Sequence, residues 1–172
     1  LKYRYVDLRR PRLQRNIKLR SEFIEKARQF LFSKGFLEIE TPILSAPTPE
    51  GSRDFVVPSR LNHGKFFALP QSHQQYKQIL MIAGFEKYFQ ITRCLRDEDL
   101  IADRGFEHTQ IDLEMSFVKQ EEVMAFDEEM VTIIVESMGH QIKEKPFPVF
   151  TYQEAMRQFG ADKFDLRTEE DK

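Results

Sequence analysis

Residues 108–118 hold a strict alternation of polar and apolar side chains from Gln110 to Phe117: Gln110, Asp112, Glu114 and Ser116 share one parity, Ile111, Leu113, Met115 and Phe117 the other. A period of two is the pattern of a half-buried strand. Residues 87–98 read as a second long strand, with Gln90, Thr92, Cys94, Arg96 and Glu98 on one parity. The run from Asp99 to Glu107 between them is long and charged, so the pair is expected as an antiparallel hairpin. One face of it is greasy and the other carries Arg, Glu, Gln and Asp. Asp112 and Glu114 on one face form a like-charge pair that needs a cation or donors nearby. A solvated face usually carries Lys and Thr instead, so the acids point to a functional cleft.

The rest of the chain supplies elements to cover that hairpin. Residues 12–34 predict a helix with Leu13, Ile17, Ile24, Ala27 and Leu31 as one apolar stripe, and Gly35 follows as its C′ residue. Phe36 to Glu40 alternates like a strand and stops at Thr41-Pro42. Residues 45–54, with two Pro and one Gly, predict a loop, and short strands follow around 55–57 and 65–69. Ser72 with Gln75 reads as a capping box opening a helix over 73–83, with Tyr76, Ile79, Leu80 and Ala83 inward and Gln74, Lys77, Gln78 and Met81 on another side. Residues 121–138 predict an amphipathic helix with Val123, Phe126, Met130, Ile133 and Ser137 on one side. A second capping box, Thr151 with Glu154, opens a short helix that Gly160 ends. Most strands follow one another without crossover helices. The expected fold is α+β, an antiparallel sheet flanked by helices.

Composition narrows the class. The 172 residues suffice for one domain with its own core, and 41% hydrophobic with 31% charged residues is a globular balance. No apolar run approaches the roughly 18 residues of a membrane span. A net charge of −2 gives no strong field toward nucleic acid. The charge is uneven, however: residues 1–20 hold eight Lys or Arg against Asp7 alone, while 168–172 are acidic. A basic arm suits phosphate contacts; taken on charge alone it reads as a solvated helix edge. The single cysteine, Cys94, excludes an internal disulfide and a Cys-rich zinc site, and reads as a buried structural thiol suited to a reducing cytosol. Leu1 in place of Met and a charged final run are what an excised piece would show.

Several segments resemble the class II aminoacyl-tRNA synthetases of the aspartate type. Gly35 to Pro42 resembles their motif 1 (about 20–44), a helix and a strand ending in Pro at a dimer interface. Arg96-Asp97-Glu98, the charged loop and Gln110 to Phe117 resemble motif 2 (about 87–118). Thr48-Pro49-Glu50-Gly51 and Leu69 to Gln78 look like the aspartate-specific signatures. Residues 1–11 resemble the hinge out of an anticodon-binding OB barrel, and 162–167 the stretch before the bacterial insertion domain. The match runs from end to end, so residues 1–172 are identified as part of such a catalytic domain.

The resemblance implies an aspartate–tRNA ligase that activates aspartate with ATP and passes it to tRNA, working in the cytoplasm as a homodimer paired through motif 1, with no membrane role. It implies that Lys77 takes the substrate's side-chain carboxylate and that Glu50, Gln74 and Asp112 surround its ammonium group. Arg96 would be the catalytic residue, binding the α-phosphate of ATP. Asp97, Glu98, Gly105 and His108 would complete the ATP contacts, Glu98 accepting from the adenine amino group. The family usually has Pro at position 73, Phe at 108 and Gln at 105; here stand His73, His108 and Gly105. No Gly-rich segment with a trailing Arg like motif 3 occurs, and neither the barrel nor the insertion domain is represented. The magnesium ions expected in the complete enzyme would find their ligands mostly elsewhere, so no metal-binding residue is expected in these 172, and the chain by itself is expected to be inactive. A non-catalytic paralogue or dimerising interaction module is the alternative. An ammonia-dependent asparagine synthetase on a related scaffold fits the hinge and motif 2 less well.

Overall fold

The computed structural model describes residues 2–100 and 105–167. The first helical turn, α1 (Arg4–Asp7), was not expected from the sequence; it presents a buried Asp7 to Arg4 at 2.6 Å and Arg10 at 3.2 Å, so part of the basic arm is internally neutralised. The long helix α2 (Pro11–Ser33) starts with Pro at its first position, where a missing N–H costs nothing. It ends as expected at Gly35, whose φ of 80° allows its N–H to reach Phe32 O while Phe36 N–H reaches Leu31 O. That turn delivers Phe36 into the core beside Leu31.

Three strands form the main sheet, β1 (Leu37–Glu38), β4 (Lys87–Leu95) and β5 (Glu107–Met115), in the order β1-β4-β5. The β4–β5 hairpin is antiparallel as expected, with Gln90 opposite Asp112 and Thr92 opposite Gln110. β1 pairs parallel to β4, Leu37 with Tyr88, so the sheet is mixed where an antiparallel one was expected. The segment 39–86 carries the chain from β1 back to β4 in the same direction. A second sheet is the antiparallel hairpin of β2 (Val56–Pro58) and β3 (Phe66–Ala68).

The two sheet faces are covered differently. On the odd-numbered face, Phe89, Ile91, Ile111, Leu113 and Met115 pack against Ala27, Phe30 and Leu31 of α2 and Phe126, Met130 and Ile134 of α4 (Gln120–Ser137). The inward residue of α4 is Ile134; Ile133 and Ser137, expected on that side, are exposed. The N-terminal half of α2 contributes little to this core: Ile17, Leu19 and Phe23 are exposed, so the expected stripe is buried only from Ala27 onward. On the even-numbered face lies α3 (Gln74–Ile82). Helix α5 (Tyr152–Phe159) is closed by the expected capping box of Thr151 and Glu154 and by Gly160 at φ 69°. Its Phe159 stacks on Phe164 at 3.9 Å. Among the described residues, no helix is long and apolar enough to cross a membrane. Residues 101–104 of the charged loop and the acidic run 168–172 lie outside the described residues.

Candidate active site

The even-numbered face of the hairpin and the first turns of α3 form a buried polar cluster. Lys77 is 7% exposed, and its Nζ lies 3.0 Å from Asp112 Oδ1 and 3.2 Å from Glu114 Oε2. The acidic pair on β5 thus has its cation, delivered by a helix from the other side. Burial works against the ammonium, but the hydrogen bonds and charges of Asp112 and Glu114 outweigh it and hold the Lys77 pKa above the ordinary lysine value.

This orientation reverses the expectation for α3. Lys77 points inward, whereas Ile79 and Ala83 are exposed and Tyr76 and Leu80 are half-buried. Nor does Ser72 cap the helix: its hydroxyl donates to Glu50, and His73 occupies the N-cap without a side-chain cap bond. Two carboxylates and a lysine in a sheltered space outbid the apolar stripe, because an unpaired buried charge costs more than an exposed isoleucine.

Asp112 is held at both oxygens. Gln110 Nε2 donates to Oδ1 at 3.3 Å, and the hydroxyl of Tyr88, fully buried on β4, donates to Oδ2 at 3.2 Å. Burial, then the neighbouring Asp112 charge, raises the Tyr88 pKa well above 10. Cys94 Sγ donates to Gln110 Oε1 at 3.4 Å. Burial and Asp112 push its thiol up to about 11 against the pull of Arg96, in keeping with the structural thiol expected. His73, 1% exposed, has Nε2 at 3.4 Å from Thr92 Oγ1 and its Nδ1 without a partner among the described residues. Burial keeps its pKa below 6.5, aided by Lys77 and opposed by Asp112 and Glu50.

Glu50 joins the cluster from the loop, where Thr48 Oγ1 donates to it at 3.0 Å. The linchpin of that loop is Gln71, 1% exposed, whose Nε2 donates to Asp54 Oδ1 at 2.6 Å and Ser52 O at 2.9 Å. The Gln71 carbonyl accepts from Arg96 Nε at 3.5 Å, placing the guanidinium at the end of β4. Asp97 pairs with Arg53 at 3.4 Å, and Glu98 accepts from the Ser52 hydroxyl. His108 faces Cys94 across the hairpin, and Gly105 is exposed where the described chain resumes. Gln74 is exposed on the first turn of α3, one turn before Lys77, and outside the hydrogen-bonded cluster. Lys77, Asp112, Glu50 and Arg96 thus converge, with Asp97, Glu98 and His108 around the loop end of the hairpin. Tyr88 and Gln71 are partners that sequence reasoning missed: an aromatic in a strand reads as core, and a single Gln carries no pattern of its own. Among the described residues no group of three His, Cys, Asp or Glu side chains could hold a metal ion.

Comparison of the sequence with known proteins places the chain in a family. The family model of tRNA synthetases class II (D, K and N) covers residues 1–172. An aspartate–tRNA(Asp/Asn) ligase of Endomicrobium trichonymphae is 57% identical over 169 residues, which is 98% of this chain and 29% of that protein. The corresponding ligase of Natranaerobius thermophilus is 58% identical over 168 residues, 97% of this chain and 28% of its own length. An aspartate–tRNA ligase of Staphylococcus haemolyticus is 54% identical over 169 residues, 98% and 29% respectively. The chain therefore spans less than a third of each of these relatives. With the whole sequence matched and the hairpin, α3 and loop assembled around one polar cluster, the chain belongs to the class II tRNA synthetases of the D, K and N group.

Proposed function

We propose that this chain is the motif 1 and motif 2 portion of an aspartate–tRNA ligase, which forms aspartyl-adenylate from aspartate and ATP and transfers the aspartyl group to tRNA. The observation that carries the reading is Lys77. An ammonium has three N–H donors, and Asp112 and Glu114 engage two of them. The third has no partner among the described residues and can meet the side-chain carboxylate of aspartate, a small anion that a preorganised lysine binds well in a sheltered cleft. Glu50 and Asp112 supply negative charge for the substrate ammonium, with Gln74 one helical turn away.

In the reaction the aspartate α-carboxylate attacks the α-phosphorus of ATP. A carboxylate–phosphorus bond forms, the bond to the bridging oxygen breaks, and pyrophosphate leaves with that oxygen's electron pair. The nucleophile is already an anion and needs no general base. Negative charge grows on the phosphoryl oxygens, and Arg96, steadied by the Gln71 carbonyl, is the cation placed for it. Glu98 accepts from the adenine amino group, Asp97 braces the Arg53 loop, and His108 offers a ring face where the family has Phe, beside Gly105. Magnesium, in this reading, is held mostly by other parts of the protein.

The same reading makes the protein a cytoplasmic homodimer that pairs through residues 12–44. Its support is the exposed apolar set Ile17, Leu19, Phe23 and Phe32 on α2, which otherwise faces water. The domain boundaries follow suit, with a hinge over 1–11, motif 1 over about 20–44 and motif 2 over about 87–118. Aspartate-dependent ATP–pyrophosphate exchange tests the function. The full-length protein that carries this chain should catalyse it and lose it on Arg96→Ala, whereas the 172-residue chain alone should not. An inactive full-length protein would overturn the reading in favour of a non-catalytic paralogue.

A further inference from the structure

The ion pair of Lys77 and Asp112 rests on a residue that no step of the chemistry touches. Tyr88 is 0% exposed, and its hydroxyl is 3.2 Å from Asp112 Oδ2, the oxygen that faces away from Lys77 and Gln110. The other oxygen receives Lys77 Nζ at 3.0 Å and Gln110 Nε2 at 3.3 Å. A carboxylate is free to turn about its last bond unless both oxygens are engaged. Among the described residues the Tyr88 hydroxyl is the contact at the second oxygen, and its ring is fixed in a β4 position opposite Glu114, next on the same face to the Gln90–Asp112 pair.

The direction of that carboxylate matters because it sets the direction of the ammonium. Lys77 gives one N–H to Asp112, 2% exposed, and one to Glu114, whose side chain is 36% exposed. The buried partner is the fixed one and the exposed partner the adaptable one. With two of three tetrahedral N–H directions used, the third points along a line determined by where the Asp112 carboxylate lies. We propose that Tyr88 is a positioning residue for substrate capture: through Asp112 its hydroxyl aims the remaining N–H of Lys77 at the incoming carboxylate. This rests on the assignment of Lys77 as the carboxylate receptor.

Tyr88→Phe removes the hydroxyl and keeps the ring, so packing is retained. In the full-length protein, KM for aspartate in pyrophosphate exchange should rise roughly tenfold, since a hydrogen bond to a charged group is lost one step from the substrate. KM for ATP should stay within about twofold, because the ATP contacts lie at the other end of the hairpin. A purely structural Tyr88 would instead lower the thermal midpoint or the active fraction and leave KM for aspartate unmoved; that result would overturn the proposal. A ligand-free measurement decides the matter independently of activity. The Lys77 side-chain ammonium, identified in a ¹⁵N-lysine-labelled protein by its loss in Lys77→Met, should give a protected Nζ resonance that broadens in Tyr88→Phe. An unchanged resonance would likewise overturn the proposal. If the unaltered protein fails to activate aspartate while this resonance broadens, the assigned reaction fails and the positioning of Lys77 by Tyr88 stands.

Discussion

Lys77 Nζ and Asp112 Oδ1 lie 3.0 Å apart although the residues are 35 positions distant and sit on a helix and a strand. Substituting Lys77→Met leaves a buried aspartate without its cation and, in the proposed reading, a substrate carboxylate without its receptor. Removing one member of a buried pair costs roughly 3–5 kcal/mol, so kcat/KM for aspartate in the full-length protein should fall by two to four decades. KM for ATP should change little. A decrease of less than about tenfold in steady-state aspartate activation would remove Lys77 from the substrate site.

His73 gives the stability a pH dependence of known sign. Burial holds its folded pKa below the 6.5 of the unfolded chain, so the unfolded state takes up a proton first as pH falls. The stability is therefore intact above pH 6.5 and declines as pH drops through the window below it. The charges facing the ring are Asp112, Glu50 and Lys77. Thermal midpoints at pH 7.5 and 5.5 should differ less for His73→Gln than for the unaltered protein. Equal differences would show that another group governs the acid limb.

The Cys94 thiol is 0% exposed and its pKa is pushed up to about 11. Thiolate is the reactive form, so alkylation by iodoacetamide at pH 8 should be negligible in the folded protein. It should become complete in denaturant. Rapid labelling under native conditions would mean that the β4–β5 hairpin opens readily.

Both bonds of the box that starts α5 are made, Thr151 N–H to Glu154 at 2.8 Å and Glu154 N–H to Thr151 Oγ1 at 3.3 Å. Thr151→Ala removes one of them and should destabilise the helix by about 1 kcal/mol, which quickens amide exchange over residues 155–159 roughly fivefold. Exchange at β4 should be untouched. Equal quickening at both places would tie α5 to global unfolding instead.

What could be read from the sequence follows from how local each signal is. Strand alternation over residues 110–115 has a period of two, so which side chains share a face is unambiguous, and the Gln90, Thr92 and Cys94 parity meets Gln110, Asp112 and Glu114 as expected. The turn at Gly35 and the box at Thr151 are contained within a few residues and were equally legible. Helix facing was less so. Ile133 and Ile134 are adjacent and equally apolar, and only the position of α2 across the core selects the second. α3 was misread because its orientation is decided by Asp112 and Glu114, distant in sequence, against the preference of Ile79 and Ala83. Ser72 was misread for the same reason, since Glu50 competes for its hydroxyl. Local rules gave way at the residues assigned here to substrate.

The parallel pairing of β1 with β4 carries a consequence for how the domain assembles. The β4–β5 hairpin closes over residues 96–106 alone, while Leu37 must find Tyr88, and Thr41 the side-chain amide of Gln90, 49 positions away. Contacts so distant in sequence form slowly, because their loop entropy is lost before the pairing compensates it. The hairpin can thus form on its own, and residues 37–41 return to its outer edge as a late event. β1 sits directly beside Tyr88 and Gln90, so the pairing that closes this edge of β4 also completes the floor beneath Lys77.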